Sequence, residues 1–220
     1  MLERFGTRIQ LALIGAMVLA GLWARMGLPD GAQVPIHFNA HGEANGWASA
    51  NVGLFVLPWT ALVLLGVQWL LPHIDPRGDN LRRSAKAVTT VFVGVALVLC
   101  AAQVYVVARS LEMAGPAPKL PMLLMGGLFA FMGNVMGKLR SNFTVGIRTP
   151  WTLSSERVWD QTHRFAGKAF VGAGLLLLVL AMTSLAPKWQ TAAIACAAIG
   201  AAGASVLKSY LLWREQQGGG

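Results

Sequence analysis

Apolar residues along this chain fall into six long runs, separated by short polar stretches. The runs cover residues 9–24, 52–71, 87–108, 120–137, 169–185 and 189–213. A helix needs about 20 apolar residues to cross hydrocarbon roughly 30 Å thick, and only a helix or closed barrel satisfies its own backbone there. The pattern therefore predicts an all-α integral membrane protein with six transmembrane helices, forming a single polytopic unit over residues 1–220. No polar interval is long enough to fold as a separate globular domain. Ala186, Pro187 and Lys188 alone separate the last two runs, which predicts a tight helical hairpin. Arg4 and Arg8 precede the first run as they would in a signal peptide, but no small-residue cleavage site follows, so this run is expected to stay as an anchor.

Composition agrees with the pattern. The chain is 55% hydrophobic and 12% charged, with a mean hydropathy of +0.55, too apolar for a soluble domain of this length. The net charge of +9 points to anionic lipid rather than nucleic acid, because of where the cations lie. Fourteen Lys and Arg fall on one side of the expected membrane: Arg4, Arg8, Arg77, Arg82, Arg83, Lys86, Lys138, Arg140, Arg148, Arg157, Arg164, Lys168, Lys208 and Arg214. Four fall on the other: Arg25, Arg109, Lys119 and Lys188. By the positive-inside rule both termini are expected in the cytoplasm, with loop 26–51 outside and loop 138–168 inside.

Charged side chains are absent from the middle of the runs, which argues against an ion-coupled carrier. Asn134 is among the few polar groups there. Small residues are common, with Gly133 and Gly137 four apart and an Ala/Gly-rich stretch over 192–204, so close helix packing within one chain is expected. Cys100 and Cys196 lie inside apolar runs, and a packing role is expected for them rather than a disulfide.

The outer loop contains Val34-Pro-Ile-His-Phe-Asn-Ala-His-Gly-Glu-Ala-Asn-Gly-Trp47. Pro35 favours extended backbone, and Gly42 and Asn45-Gly46 are turn formers, so a short hairpin or compact loop is expected. Three readings stay open for it. His37 and Asn39 could tie its turns by hydrogen bonds; Pro35, His37, Asn39, Gly42 and Glu43 could contact a ligand; or His37, His41 and Glu43 could share a metal, although their spacing matches no established zinc pattern.

The inner loop carries Gly146-Ile-Arg-Thr-Pro-Trp-Thr-Leu-Ser-Ser-Glu-Arg-Val-Trp-Asp-Gln-Thr-His-Arg164. Pro150 predicts extended backbone before it and a turn after it. Ser154 is the expected N-cap of a helix, with Glu156 in its first turn. Trp159, His163, Ala166 and Phe170 recur at helical spacing, and Asp160 and Arg164 are spaced for an ion pair. These features predict a short interfacial helix before the fifth span, with Trp151 and Trp159 at the headgroup boundary. Asn142, Arg148, Trp151 and His163 could also form a polar recognition pocket, with the Arg148 fork suited to a carboxylate or phosphate. No nucleophile pairs clearly with His163, so no catalytic residue is assigned.

Taken together, the outer stretch and Ser141-Asn-Phe-Thr-Val-Gly-Ile-Arg-Thr-Pro-Trp-Thr-Leu resemble the SdpI family of bacterial membrane proteins. The family pattern has a Pro-x-His-x-Asn loop after the first span, a Gly-Ile-Arg-Thr-Pro-Trp-Thr-Leu segment, a following Trp and Thr-His-Arg, and a Gly-Asn pair matched here by Gly133-Asn134. Asn45 stands where the family often carries an acidic residue. The resemblance implies immunity to a secreted peptide toxin. It further implies signalling, in which the engaged protein holds a transcriptional autorepressor at the membrane. By position it implies toxin-side residues Pro35, His37, Asn39 and Gly42. On the cytoplasmic side it implies Asn142, Gly146, Arg148, Thr149, Pro150, Trp151, Trp159, His163 and Arg164. No cofactor and no direct nucleic-acid contact are expected. The alternative is a membrane-embedded enzyme, metal-dependent or acting on lipid or envelope precursors.

Overall fold

A computed structural model describes residues 2–218. Met1, Gly219 and Gly220, part of the single unit expected over 1–220, lie outside the described residues. The elements in chain order are α1 (Leu2–Gly27), β1 (Gln33–Phe38), β2 (Ala44–Ser49), α2 (Ala50–Gly53), α3 (Val56–Ile74), α4 (Gly78–Arg83), α5 (Ala85–Ser110), α6 (Leu120–Met136), α7 (Pro150–Ser154), α8 (Glu156–Ala181) and α9 (Pro187–Gly218). Five helical segments are long and apolar enough to cross a membrane, and α6 is a shorter apolar helix. At about 1.5 Å per residue, the 17 residues of α6 extend about 26 Å, close to the hydrocarbon thickness of a thin bilayer.

Two expectations are corrected. The chain is mostly helical rather than all-α, because β1 and β2 pair into an antiparallel hairpin. The second is where the helix that leads into the fifth span begins. One turn of helix, α7, ends at Ser154, and α8 then runs without a break from Glu156 to Ala181. Ser155, not Ser154, caps α8, its hydroxyl accepting from the Val158 amide. Among the described residues the ion pairs are Arg25–Asp30 and Arg82–Asp79, so Asp160 and Arg164 do not form the expected one.

The second span has a break that its sequence explains. α2 and α3 are separated at Leu54–Phe55. Pro58 has no amide hydrogen to return to the Leu54 carbonyl four residues earlier. The Gln103 amide, fully buried on α5, donates to that carbonyl at 2.9 Å instead. Thus one polar side chain in the apolar interior satisfies the acceptor that proline leaves open.

α6 and α8 approach through glycines. A Cβ on Gly133 would lie 2.7 Å from the Gly167 carbonyl oxygen, and one on Gly167 would lie 2.7 Å from that of Gly133. One turn-pair along, a Cβ on Gly174 would fall 2.5 Å from the Gly126 carbonyl oxygen. The close-packing expectation therefore holds between α6 and α8 but not at the glycines of the 192–204 stretch, where a Cβ on Gly200 or Gly203 would meet nothing within 4 Å. Its partners are Gly126 and Gly133 with Gly167 and Gly174, while a Cβ on Gly137 would meet only ordinary contact at 3.5 Å. Cys100 is half-buried and Cys196 exposed, and neither is in a disulfide.

Candidate recognition surfaces at the two ends of the helix bundle

The hairpin sits at one end of the bundle. Its register pairs Val34 with Ala48, Pro35 with Trp47 and His37 with Gly46. Val34 is buried with Ala24, Leu54 and Val107, which anchors β1 to α1, to the break between α2 and α3, and to α5. The turn is organised by Asn39. Its side-chain oxygen accepts from the His41 and Glu43 amides at 2.9 and 3.1 Å, and its amide donates to the Glu43 carboxylate at 2.9 Å. Gly42 has φ +76°, and a Cβ there would lie 2.6 Å from the Ala117 nitrogen. The Tyr105 hydroxyl bridges this contact, donating to the Gly42 carbonyl and accepting from the Ala117 amide. Phe38 packs on the Tyr105 ring at 4.9 Å.

This geometry separates the outer residues. Pro35 and Gly42 are buried, Asn39 is half-buried, and His37, His41 and Glu43 are exposed. His37 Nδ1 lies 2.6 Å from the Asn45 side-chain oxygen, so it donates to that acceptor. Gly46 faces His37 with room for no Cβ, which would fall 2.9 Å from that of His37. Among the described residues no three His, Cys, Asp or Glu side chains stand where one metal ion could bind them, so His37, His41 and Glu43 do not converge. The hairpin leaves Ile36 and Trp47 accessible, 47% and 57% exposed, Trp47 on the side of its partner Pro35 and Ile36 beside Val34 next to Gly53, together with the exposed His37–Asn45 pair.

The segment 138–164 occupies the opposite end, beyond α6. Asn142 is fully buried and uses its whole amide. Its oxygen accepts from the Val145 and Thr144 amides at 2.7 and 2.9 Å, and its nitrogen donates to the Arg140 and Val145 carbonyls. Asp75, from the turn after α3, clamps the same loop. One carboxylate oxygen accepts from the Phe143 amide and the Thr144 hydroxyl, each at 2.9 Å, and the other accepts from the Arg77 amide at 2.7 Å. Arg77 donates to Ser141 and, at 2.8 Å, to the Leu153 carbonyl, and its guanidinium lies 4.9 Å from the centre of the Phe143 ring.

Asp75 and Arg77 were not among the expected site residues. The sequence signals only a turn at Asp75-Pro76, and their partners lie more than 60 residues away. Asp75→Ala is expected to leave three donors without their acceptor in a largely buried site. The cost is about 2–4 kcal/mol, read as a lower unfolding midpoint of the detergent-solubilised protein, whereas exposed Asp160→Ala should leave it unchanged.

His163 and Trp159 are fully buried, contrary to the expected headgroup position of Trp159. The physical reason is that helix α8 turns this face into the protein, against Leu139, Leu81 and Val135. The rings stack with centroids 4.0 Å apart, and the indole donates to the Leu139 carbonyl at 2.7 Å. The Ile147 amide donates to His163 Nε2 at 3.0 Å, and Nδ1 lies 2.9 Å from the Trp159 carbonyl. An amide can only donate and a carbonyl only accept, so the ring is neutral with its proton on Nδ1. Gly146 makes this possible. It has φ +119°, and a Cβ would stand 2.4 Å from His163 Nε2.

Thr149 caps α7 in a reciprocal box with Thr152, and Pro150 takes the first helical position. The Thr149 hydroxyl also meets that of Ser209 at 3.1 Å, and Trp151 packs edge-on to Tyr210 at 5.1 Å, so α7 docks on the end of α9. Arg148 is exposed and donates to the Phe143 carbonyl at 2.7 Å, while Arg164 is exposed on α8. The proposed pocket of Asn142, Arg148, Trp151 and His163 therefore does not assemble as one cleft. Asn142 and His163 are internal fasteners, and Arg148 and Trp151 lie nearer the surface. Lys138, Arg140, Arg148, Arg157, Arg164 and Lys168 are all exposed, giving this end a basic surface. Asn134, near the end of α6, is exposed as well.

Chemically, both ends are suited to recognition. His163 has both ring nitrogens engaged by backbone groups and so is not poised as a general base.

Comparison with known proteins follows the same two regions. Residues 138–209 match the model of the SdpI/YfhL protein family, and residues 12–62 match that of a domain of unknown function, DUF1648. Immunity protein SdpI of Bacillus subtilis (strain 168) is 44% identical over 55 residues, which is 24% of this chain and 27% of that protein's length. The chain thus aligns with about a quarter of this relative. No solved structure matches. The first family match takes in the Asn142 loop, the Gly146–His163 contact and the α7–α9 docking, so over residues 138–209 the chain is similar to the SdpI/YfhL protein family.

Proposed function

We propose that this protein is an immunity protein of the bacterial inner membrane that binds a secreted antimicrobial peptide on its outer face. The chain crosses the bilayer six times as one polytopic unit, with both termini in the cytoplasm. The match of residues 138–209 to the SdpI/YfhL family model supports this reading, since the similar protein in Bacillus subtilis bears the name of an immunity protein. The hairpin suits the receptor role: the buried Val34 and the Asn39 turn hold it rigid, while Ile36, Trp47 and His37 remain accessible. A preorganised, accessible tryptophan is what peptide recognition generally uses.

At the cytoplasmic end, the basic surface around Arg148 and Arg164 receives an acidic partner, a repressor protein held at the membrane when toxin is bound. Such coupling requires the toxin to favour one helix arrangement over another.

Expression in a toxin-sensitive bacterium tests the proposal. The chain should raise survival under peptide challenge, and Trp47→Ala should lose that protection while reaching the membrane in equal amount. Unaltered killing despite confirmed insertion would overturn the reading.

A further inference from the structure

Two cavities of opposite character meet beside the turn between α3 and α4. The larger, about 780 Å³, opens between α1, α3 and α5 and is walled by apolar groups such as Leu62, Leu65 and Trp69. The smaller, about 400 Å³, lies outside the spans among Asp75, Arg77, Asp79 and Asn80. They share Pro72, His73 and Arg82 as a common wall. Gly78 keeps this junction tight, since a Cβ there would lie 2.2 Å from the Pro72 carbonyl oxygen. An apolar chamber at hydrocarbon depth, continuing into a polar one at headgroup depth, has the shape of an oriented amphiphile.

We propose that this bipartite cavity is a binding site for one phospholipid whose headgroup carries both a phosphate and an ammonium. An acyl chain lies along α3. The polar amides nearby do not oppose it, because Gln10 donates to Gln68 at 3.0 Å and Gln68 donates to Thr89 at 3.4 Å. Arg82, 54% exposed, holds Asp79 through one guanidinium nitrogen and offers its remaining N–H groups to the phosphate. Asp79, 85% exposed, accepts from the ammonium. His73 Nδ1 lies 3.1 Å from the Trp69 carbonyl, so that nitrogen is the donor, which leaves Nε2 facing away from the backbone. Two aspartates balance two arginines around the polar chamber, so a zwitterionic headgroup fits its charge better than an anionic one. The inference rests on the membrane-spanning reading and is independent of toxin recognition.

Native mass spectrometry of the delipidated full chain tests it, with dioleoyl phosphatidylethanolamine and dioleoyl phosphatidylglycerol as probes. One phosphatidylethanolamine per chain should be retained, at least fivefold more tightly than the glycerol lipid. Gly66 lines the apolar chamber, and a Cβ there meets nothing within 4 Å, so Gly66→Leu should fill the space and weaken retention at least tenfold without unfolding the protein. Asp79→Asn, a surface change, should abolish the preference between headgroups. Equal retention by Gly66→Leu would mean that only surrounding lipid had been carried along, and equal binding of the two lipids by the unaltered protein would refute the headgroup assignment. Either result would overturn the proposal.

Discussion

Replacing Gly133 with leucine is expected to separate α6 from α8 and abolish recovery of folded protein. The two backbones approach so closely that even a methyl group at 133 would stand 2.7 Å from the Gly167 oxygen and the Val171 nitrogen. Neither atom is the free end of a side chain, so relief requires moving a whole helix. In lipid no hydrophobic force draws the helices together, and van der Waals contact between small residues carries much of the association. Gly133→Ala should already cost about 1–3 kcal/mol as overpacking, and leucine more. The short α6, which depends on α8 as its main packing partner, concentrates the effect there. Size-exclusion profile and unfolding midpoint in detergent would measure it. Gly127→Ala, on the same helix with nothing within 4 Å of its Cβ position, serves as the silent control.

Gly146→Ala is expected to disorganise the inner loop while leaving the helices inserted. At φ +119° any L side chain is strained, at about 1–3 kcal/mol. Its Cβ would also occupy space within 2.4 Å of His163 Nε2 and displace the Ile147 amide from the ring. A buried acceptor left unpaired costs about 1–3 kcal/mol, so a total of roughly 3 kcal/mol is reasonable. Hydrogen exchange should show lost protection at Ile147, with faster proteolysis between 143 and 155. Gly172→Ala on α8, with open space around its Cβ, should change neither. If Gly146→Ala kept full protection at Ile147, the His163 fastening would be wrong.

Much of the helical layout was legible because hydrocarbon imposes a simple rule on length and polarity. The runs 9–24, 87–108 and 189–213 lie wholly within α1, α5 and α9, the runs 120–137 and 169–185 outlast α6 and α8 by one and four residues, and only 52–71 is interrupted, at Leu54–Phe55. The face of α8 was legible as a pattern but not in its burial. Trp159, His163 and Ala166 recur at the same spacing whether a helix turns them toward headgroups or toward its own core. Only the loop from 139 to 147 folding over them decides the matter, and periodicity within α8 contains nothing about that loop. Gly133 was legible as a packing residue, yet its partner spacing was not. The contact uses glycines seven apart on both helices, the period that keeps one face toward a neighbour in a left-handed crossing.

Arg148 illustrates the converse. Its fork suggested an anion site, but the Phe143 carbonyl in its own loop already takes one of its donors. Asp75 and Arg77 escaped notice because their importance comes wholly from tertiary partners. In the outer loop, turn residues announced the hairpin, and Asn39 holds its turn through hydrogen bonds that short-range sequence chemistry anticipates.

The proposed relay of toxin contact outside to partner binding inside depends on the hairpin and the 138–164 segment facing different aqueous compartments. With Cys100 and Cys196 replaced by alanine, single cysteines at the exposed positions His41 and Arg148 can be probed by a membrane-impermeant maleimide on spheroplasts. Labelling is expected at 41 in sealed spheroplasts, and at 148 only after permeabilisation. Labelling of both positions from outside before permeabilisation would contradict the six-span orientation and the recognition scheme built on it.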